Sequence, residues 1–146
     1  MTRPAILAAL ALLALPCLAH ADPCTAIPDK GPSPAWLKRG AVFSGTVRYV
    51  GDGDGLCVGK TSDPAEWIEV RLTDFLAPEL HEPGGRDALN RLSSITMGRE
   101  AICTVEGGYG GRVRSYDRAL AVCRINGRRI GDLLRAAGGV EGGRGR

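Results

Sequence analysis

Three carboxylates and two guanidinium groups stand in short clusters along the middle of this 146-residue chain. Asp52-Gly53-Asp54-Gly55 puts two acids in a glycine-rich turn. Val70-Arg71-Leu72 sets a cation in an apolar run, and Ala77-Pro78-Glu79 adds a third acid. A second arginine lies in Ser115-Tyr116-Asp117-Arg118-Ala119-Leu120-Ala121. Paired acids suit a divalent cation, and a separate glutamate suits a general base. Arginine holds two phosphate oxygens in its planar fork and stays charged. These are the parts that phosphodiester hydrolysis needs, because negative charge builds on the phosphoryl oxygens and catalysis is mostly positioning and electrostatic stabilisation. Other chemistries find less support. His81 is the only histidine after residue 21 and has no nucleophile signature beside it. Counted from Asp52, Leu56 and Cys57 occupy positions that an EF-hand gives to Asp or Asn and to Gly. The glycine clusters at 107–111 and 138–143 lack the lysine of a phosphate loop and read as turns.

The elements that must position these groups follow from periodicity. Val42 to Val50 is rich in strand formers, and the Asp52–Gly55 turn breaks it. Leu56-Cys57-Val58 predicts a short second strand. From Trp67 to Leu72 a period of two puts Ile68, Val70 and Leu72 on one face and Arg71 on the other. Ala88, Leu89, Leu92 and Ile95 recur at helical spacing between Gly84-Gly85 and Gly98. Strands follow over Glu100–Val105 and Ala119–Ile125, separated by a glycine-rich loop, Glu106–Tyr116. Asn126-Gly127 signals a turn, and Ile130, Leu133, Leu134 and Ala137 predict a last helix that stops at Gly138-Gly139. Three strands, a helix, two strands and a helix fit an all-β class with accessory helices. The expected architecture is an OB-fold, a five-stranded barrel with two or three helices.

Residues 1–21 read as a secretory signal peptide: Arg3, an apolar run from Ala5 to Leu15, and Ala19-His20-Ala21 as a cleavage site. An uncleaved anchor is the alternative, although the run is short for a span of about 20 residues. Cys17 follows Pro16, which argues against a lipoprotein site. The expected divisions are an N-terminal arm (22–40), the barrel domain (41–140) and a flexible Gly/Arg tail (141–146). Without Arg3 the chain has 18 basic and 16 acidic residues, a charge of +2, which excludes a purely electrostatic DNA-coating protein. Seven arginines lie at or beyond Arg118, so that end could draw phosphate. For Arg144 and Arg146 a solubilising tail is the preferred reading. Cys24, Cys57, Cys103 and Cys123 form no Cys-x-x-Cys pair, which argues against zinc. In an exported domain they predict two disulfides, with buried thiols as the alternative. Cys103 and Cys123 sit in apolar segments joined by the glycine-rich turn, leaving Cys24 to pair with Cys57.

Three ordered motifs give the chain a family resemblance. Val50-Gly-Asp52-Gly-Asp54, Arg71-Leu-Thr-Asp-Phe-Leu-Ala-Pro78-Glu79 and Tyr116-Asp-Arg118-Ala-Leu-Ala121 resemble the signatures of the staphylococcal nuclease (thermonuclease) family. The likeness spans about Val42 to Val140. It implies an OB-fold, calcium-dependent cleavage of DNA or RNA, Glu79 as general base, Arg71 and Arg118 as phosphate clamps, and Asp54 as metal ligand. Asp52 is a further candidate ligand. The departures are specific. Leu76 stands where the family has a second ligating aspartate, Gly55 where threonine is common, and Asp117 where a glycine precedes the arginine. Asp74, two residues from Leu76, could stand in for the lost ligand if the segment is extended. The leading expectation is thus an exported, monomeric phosphodiesterase, periplasmic or secreted, acting on nucleic acid with a divalent cation and free of the membrane once its signal is removed. The alternative is an inactive OB-fold binding or structural module that has lost the metal site.

Overall fold

The computed structural model describes residues 22–142; the predicted signal segment and residues 143–146, with Arg144 and Arg146, lie outside the described residues. The elements in chain order are β1 (Val42–Val50), β2 (Gly55–Gly59), β3 (Ile68–Leu72), α1 (Gly85–Thr96), β4 (Glu100–Val105), β5 (Arg114–Ser115), β6 (Arg118–Ile125), β7 (Arg128–Arg129) and α2 (Ile130–Ala136). Antiparallel pairings run β3-β2-β1-β4-β6, and a parallel β3–β6 pairing closes the circle. The result is an OB-fold-like all-β barrel of five principal strands with two accessory helices.

The alternation in β3 has the predicted consequence. Val70 and Leu72 are buried in the barrel while Arg71 faces outward. Val47, Leu56, Val58, Leu92, Ile130 and Leu134 complete much of the core, so α1 and α2 cover the barrel through Leu92 and Leu134. Truncating Leu92, which is fully buried, would cost about 2–5 kcal/mol.

Two short strands carry no sequence signal of their own, because each is only two residues long. The segment 106–116, read from sequence as one loop, contains a 3-10 turn at Tyr109–Gly111 and then β5, which pairs with β6. The Asn126-Gly127 turn has both residues at positive φ (50° and 78°), which folds β7 back onto β6 as a hairpin.

The arm is packed, not free. Ala26 N–H donates to the Trp67 carbonyl at 3.1 Å. Arg114 donates to the carbonyls of Pro28 and Gly31 at 2.9 and 2.8 Å. Ile27 and Leu37 bury against Val105 and Ala119. The Cys24–Cys57 disulfide fastens the arm to β2, with Cα atoms 6.0 Å apart. The Cys103–Cys123 disulfide joins facing positions of β4 and β6, with Cα atoms 4.0 Å apart. Each bridge restricts the unfolded chain and is worth about 2–4 kcal/mol. No helix among the described residues is long and apolar enough to cross a membrane.

Candidate functional site

The turn between β1 and β2 is shaped by its own acids. Asp52 accepts a hydrogen bond from the Asp54 N–H at 3.1 Å. A Cβ at position 55 would come within 2.7 Å of Asp52 Oδ1, so a larger residue there would push the Asp52 carboxylate off the Asp54 N–H. Asp54 then points inward and is only 3% exposed. Its Oδ2 accepts from the Ala77 N–H at 3.0 Å and lies 3.3 Å from Arg71 Nη2. The β2–β3 register pairs Gly55 with Arg71, which is why acid and cation meet. One carboxylate therefore ties together β2, β3 and the segment leading to Glu79. Burial pushes the Asp54 carboxyl up to about 6; Arg71 opposes that rise and the charge of Asp52 adds to it. Arg71 Nη2 is within ion-pair range of Asp54 but makes no hydrogen bond of good geometry, so this nitrogen has donor capacity to spare.

Arg71 lines a cleft of about 460 Å³ on the outer face of β3 and β6, together with Thr73, Phe75, Leu76, Tyr109, Arg112, Ser115 and Leu120. The parallel register sets Arg71 opposite Leu120, so both belong to this face. Tyr109 stands at the rim almost fully exposed. A second groove of about 300 Å³ runs between the helices and the C-terminal segment; it contains none of the predicted site residues.

The other two predicted groups make different contacts. Arg118 precedes Leu120 by two residues on the same face, which puts its Cα ~8 Å from that of Arg71 by strand geometry. Its guanidinium carbon sits 6.0 Å from the Tyr116 ring centroid, and its charge partly offsets the rise that burial imposes on the Glu69 carboxyl. Glu79 begins the turn into α1: its N–H donates to Glu82 Oε2 at 3.0 Å and its carbonyl accepts the Glu82 N–H at 2.8 Å. Neither Arg118 nor Glu79 lines the cleft, and no ion pair among the described residues joins Glu79 to either arginine. The structure thus ties Asp52, Asp54 and Arg71 into one set of contacts, while Arg118 stands two residues along the same face and Glu79 follows two residues after the Ala77 amide that Asp54 holds.

Sequence reasoning did not find a trio of acids. Carboxylate oxygens of Asp22, Glu69 and Asp117 lie within 4.8 Å of one another. They come from the arm, from β3 and from the turn before β6, so only tertiary pairing assembles them. Glu69 stands two residues before Arg71 on the outward face of β3, and that spacing was the available signal. Burial pushes the Glu69 carboxyl up to about 8, with Asp22 and Asp117 adding to the rise. Its Oε2 is buried without a hydrogen-bond partner. Asp22 also approaches Cys24 and Cys57, but the disulfide uses both sulfurs.

Calcium takes six to eight oxygens. At the Asp52–Asp54 corner, Asp54 Oδ2 is committed to Arg71 and the Ala77 amide, and Leu76 contributes only methyl groups. Asp74 does not repair the set. Its carboxylate packs against Gly131 at the start of α2, where burial raises its proton affinity and Arg129 and Arg135 lie near. No group of three His, Cys, Asp or Glu side chains poised around one point among the described residues contains Asp52, Asp54 or Asp74. The residues at this corner do not fit calcium. No family model and no curated protein matches the chain.

Proposed function

We propose that this domain is an exported binding module that holds the phosphodiester backbone of nucleic acid in the Arg71 cleft without a metal. One observation carries the reading: Arg71 is braced from behind by Asp54 and opens toward a cleft that also has Arg112 and the exposed ring of Tyr109. A guanidinium held in place loses little freedom when it grips a phosphate. An exposed tyrosine offers a face on which a base can stack, a contact worth ~1–3 kcal/mol. Two disulfides suit an oxidising compartment and support export.

A second reading is metal-dependent cleavage of DNA or RNA by a thermonuclease-like enzyme. In its favour are the three ordered motifs and the meeting of Arg71 with Asp54 and Asp52. Against it stand Leu76 and the engaged Asp54. The deciding test is anisotropy of a labelled oligodeoxynucleotide with oxidised protein, in EDTA and in calcium, with a parallel digestion assay. The binding reading expects equal affinity in both buffers, no cleavage, and an affinity that falls steeply with salt as phosphate contacts require. Calcium-dependent cleavage would establish the second reading instead.

A further inference from the structure

The helix α2 ends in a full Schellman arrangement. Gly138 takes φ of 80°, its N–H donates to the Arg135 carbonyl at 3.0 Å, and the Gly139 N–H donates to the Leu134 carbonyl at 2.8 Å. The reversal turns residues 139–142 back over Phe75: a Cβ on Gly139 would stand 3.1 Å from the Phe75 ring. Glu141 and Gly142, expected from sequence to begin a flexible tail, are instead bonded to Leu76. Leu76 N–H donates to Glu141 Oε1 at 3.2 Å, and Gly142 N–H donates to the Leu76 carbonyl at 2.9 Å. Arg135 grips Glu141 with two nitrogens, Nη2 to Oε1 at 3.1 Å and Nε to Oε2 at 3.3 Å. The same guanidinium donates to the Asp74 carbonyl and lies 5.6 Å from the Phe75 ring centroid.

These contacts converge on Phe75 and Leu76, which form one wall of the Arg71 cleft. We infer that Arg135 and Glu141 are positioning residues for that cleft: they clamp the C-terminal strap onto Leu76 and so fix the wall that faces Arg71. The inference rests on the binding reading given above. It also supplies what the missing metal ligand leaves open, a cross-link that holds the loop at residue 76 by protein groups alone. Arg135 and Glu141 are both close to half exposed, so the clamp is modest and sensitive to salt.

The test uses the full mature chain with Arg135→Ala, Glu141→Ala and the exchanged pair Arg135→Glu/Glu141→Arg. Two readouts are taken, hydrogen exchange at the Leu76 amide and anisotropy of a labelled oligodeoxythymidylate in EDTA. Each single variant is expected to speed Leu76 exchange and weaken binding by about threefold to fivefold, the scale of a half-exposed ion pair. The exchanged pair re-forms the ion pair but leaves the Leu76 N–H without the Glu141 acceptor, so it is expected to restore little of either; recovery of both would show that the bond to Leu76 is not what holds the wall. Single variants with unchanged Leu76 exchange, or with faster exchange and unchanged affinity, overturn the inference. A wild-type chain that binds no oligonucleotide overturns the binding reading; the exchange rates then decide separately whether the strap holds Leu76.

Discussion

Two groups of charged side chains lie within two residues of each other along β3, and they differ in how their charges are met. At Arg71 the acid is buried and satisfied: Asp54 has a cation at 3.3 Å and a backbone donor at 3.0 Å. At Glu69 three acids crowd together, Arg118 is the cation that lowers the Glu69 carboxyl, and one glutamate oxygen has no partner. The first group spends its carboxylate on aiming a guanidinium. The second spends its guanidinium on relieving carboxylates. The two arginines therefore have different acidic neighbours, and the difference comes from which acid each strand register delivers.

The largest effect should follow from removing the buried acid's cation. Arg71→Ala leaves Asp54 buried without its partner and should cost about 3–5 kcal/mol in denaturant titrations at neutral pH. Arg118→Ala removes a charge from a more open cluster and should cost far less. Equal losses would erase the contrast. Next in size, Cys24→Ser with Cys57→Ser frees the arm that carries Asp22 and should lower stability by about 2–4 kcal/mol. Glu69 should then lose its close negative neighbour, so the pH dependence described next should shrink in that variant.

The crowded acids also predict a pH dependence of definite sign. A carboxyl raised from 4.5 to about 8 in the fold keeps its proton where the unfolded chain has already lost it. Stability is therefore highest below the unfolded value and falls as pH rises toward 8. Asp54, raised to about 6, contributes the same sign only over the lower part of that window. Glu69→Gln should flatten thermal melts between pH 6 and 8 and raise stability at pH 8 by on the order of 1–2 kcal/mol, since water reaches part of the cluster. A slope that persists unchanged in Glu69→Gln would show that Glu69 is not the group responsible. The smallest effect is expected from calcium itself, which should shift the melting temperature by less than about 1 °C at millimolar concentration.

Much of the scaffold was legible in the sequence. The period of two in Ile68–Leu72 located the buried face, the Gly98 and Gly138-Gly139 stops bounded the helices, and the apolar segments around Cys103 and Cys123 suggested one disulfide and left Cys24 with Cys57 for the other. The motifs marked Arg71 and Asp54 as site residues, but as phosphate clamp and metal ligand and not as an ion pair. What stayed hidden depends on contacts between distant segments. The placing of Arg118 near Glu69 and the Tyr116 ring depends on how β3, β6 and the turn before β6 come together. The trio with Asp22 needs the arm to be folded onto the barrel. The strap on Leu76 needs a helix cap, an ion pair and a backbone bond at once. None of these follows from local composition.

The most direct measurement is the affinity of the oxidised protein for a labelled single-stranded oligonucleotide in EDTA, compared between wild type and Arg71→Ala. The account predicts binding without metal that drops by about tenfold or more in the variant, the loss of one braced phosphate contact. Binding that appears only with calcium, or that is indifferent to Arg71, would contradict it.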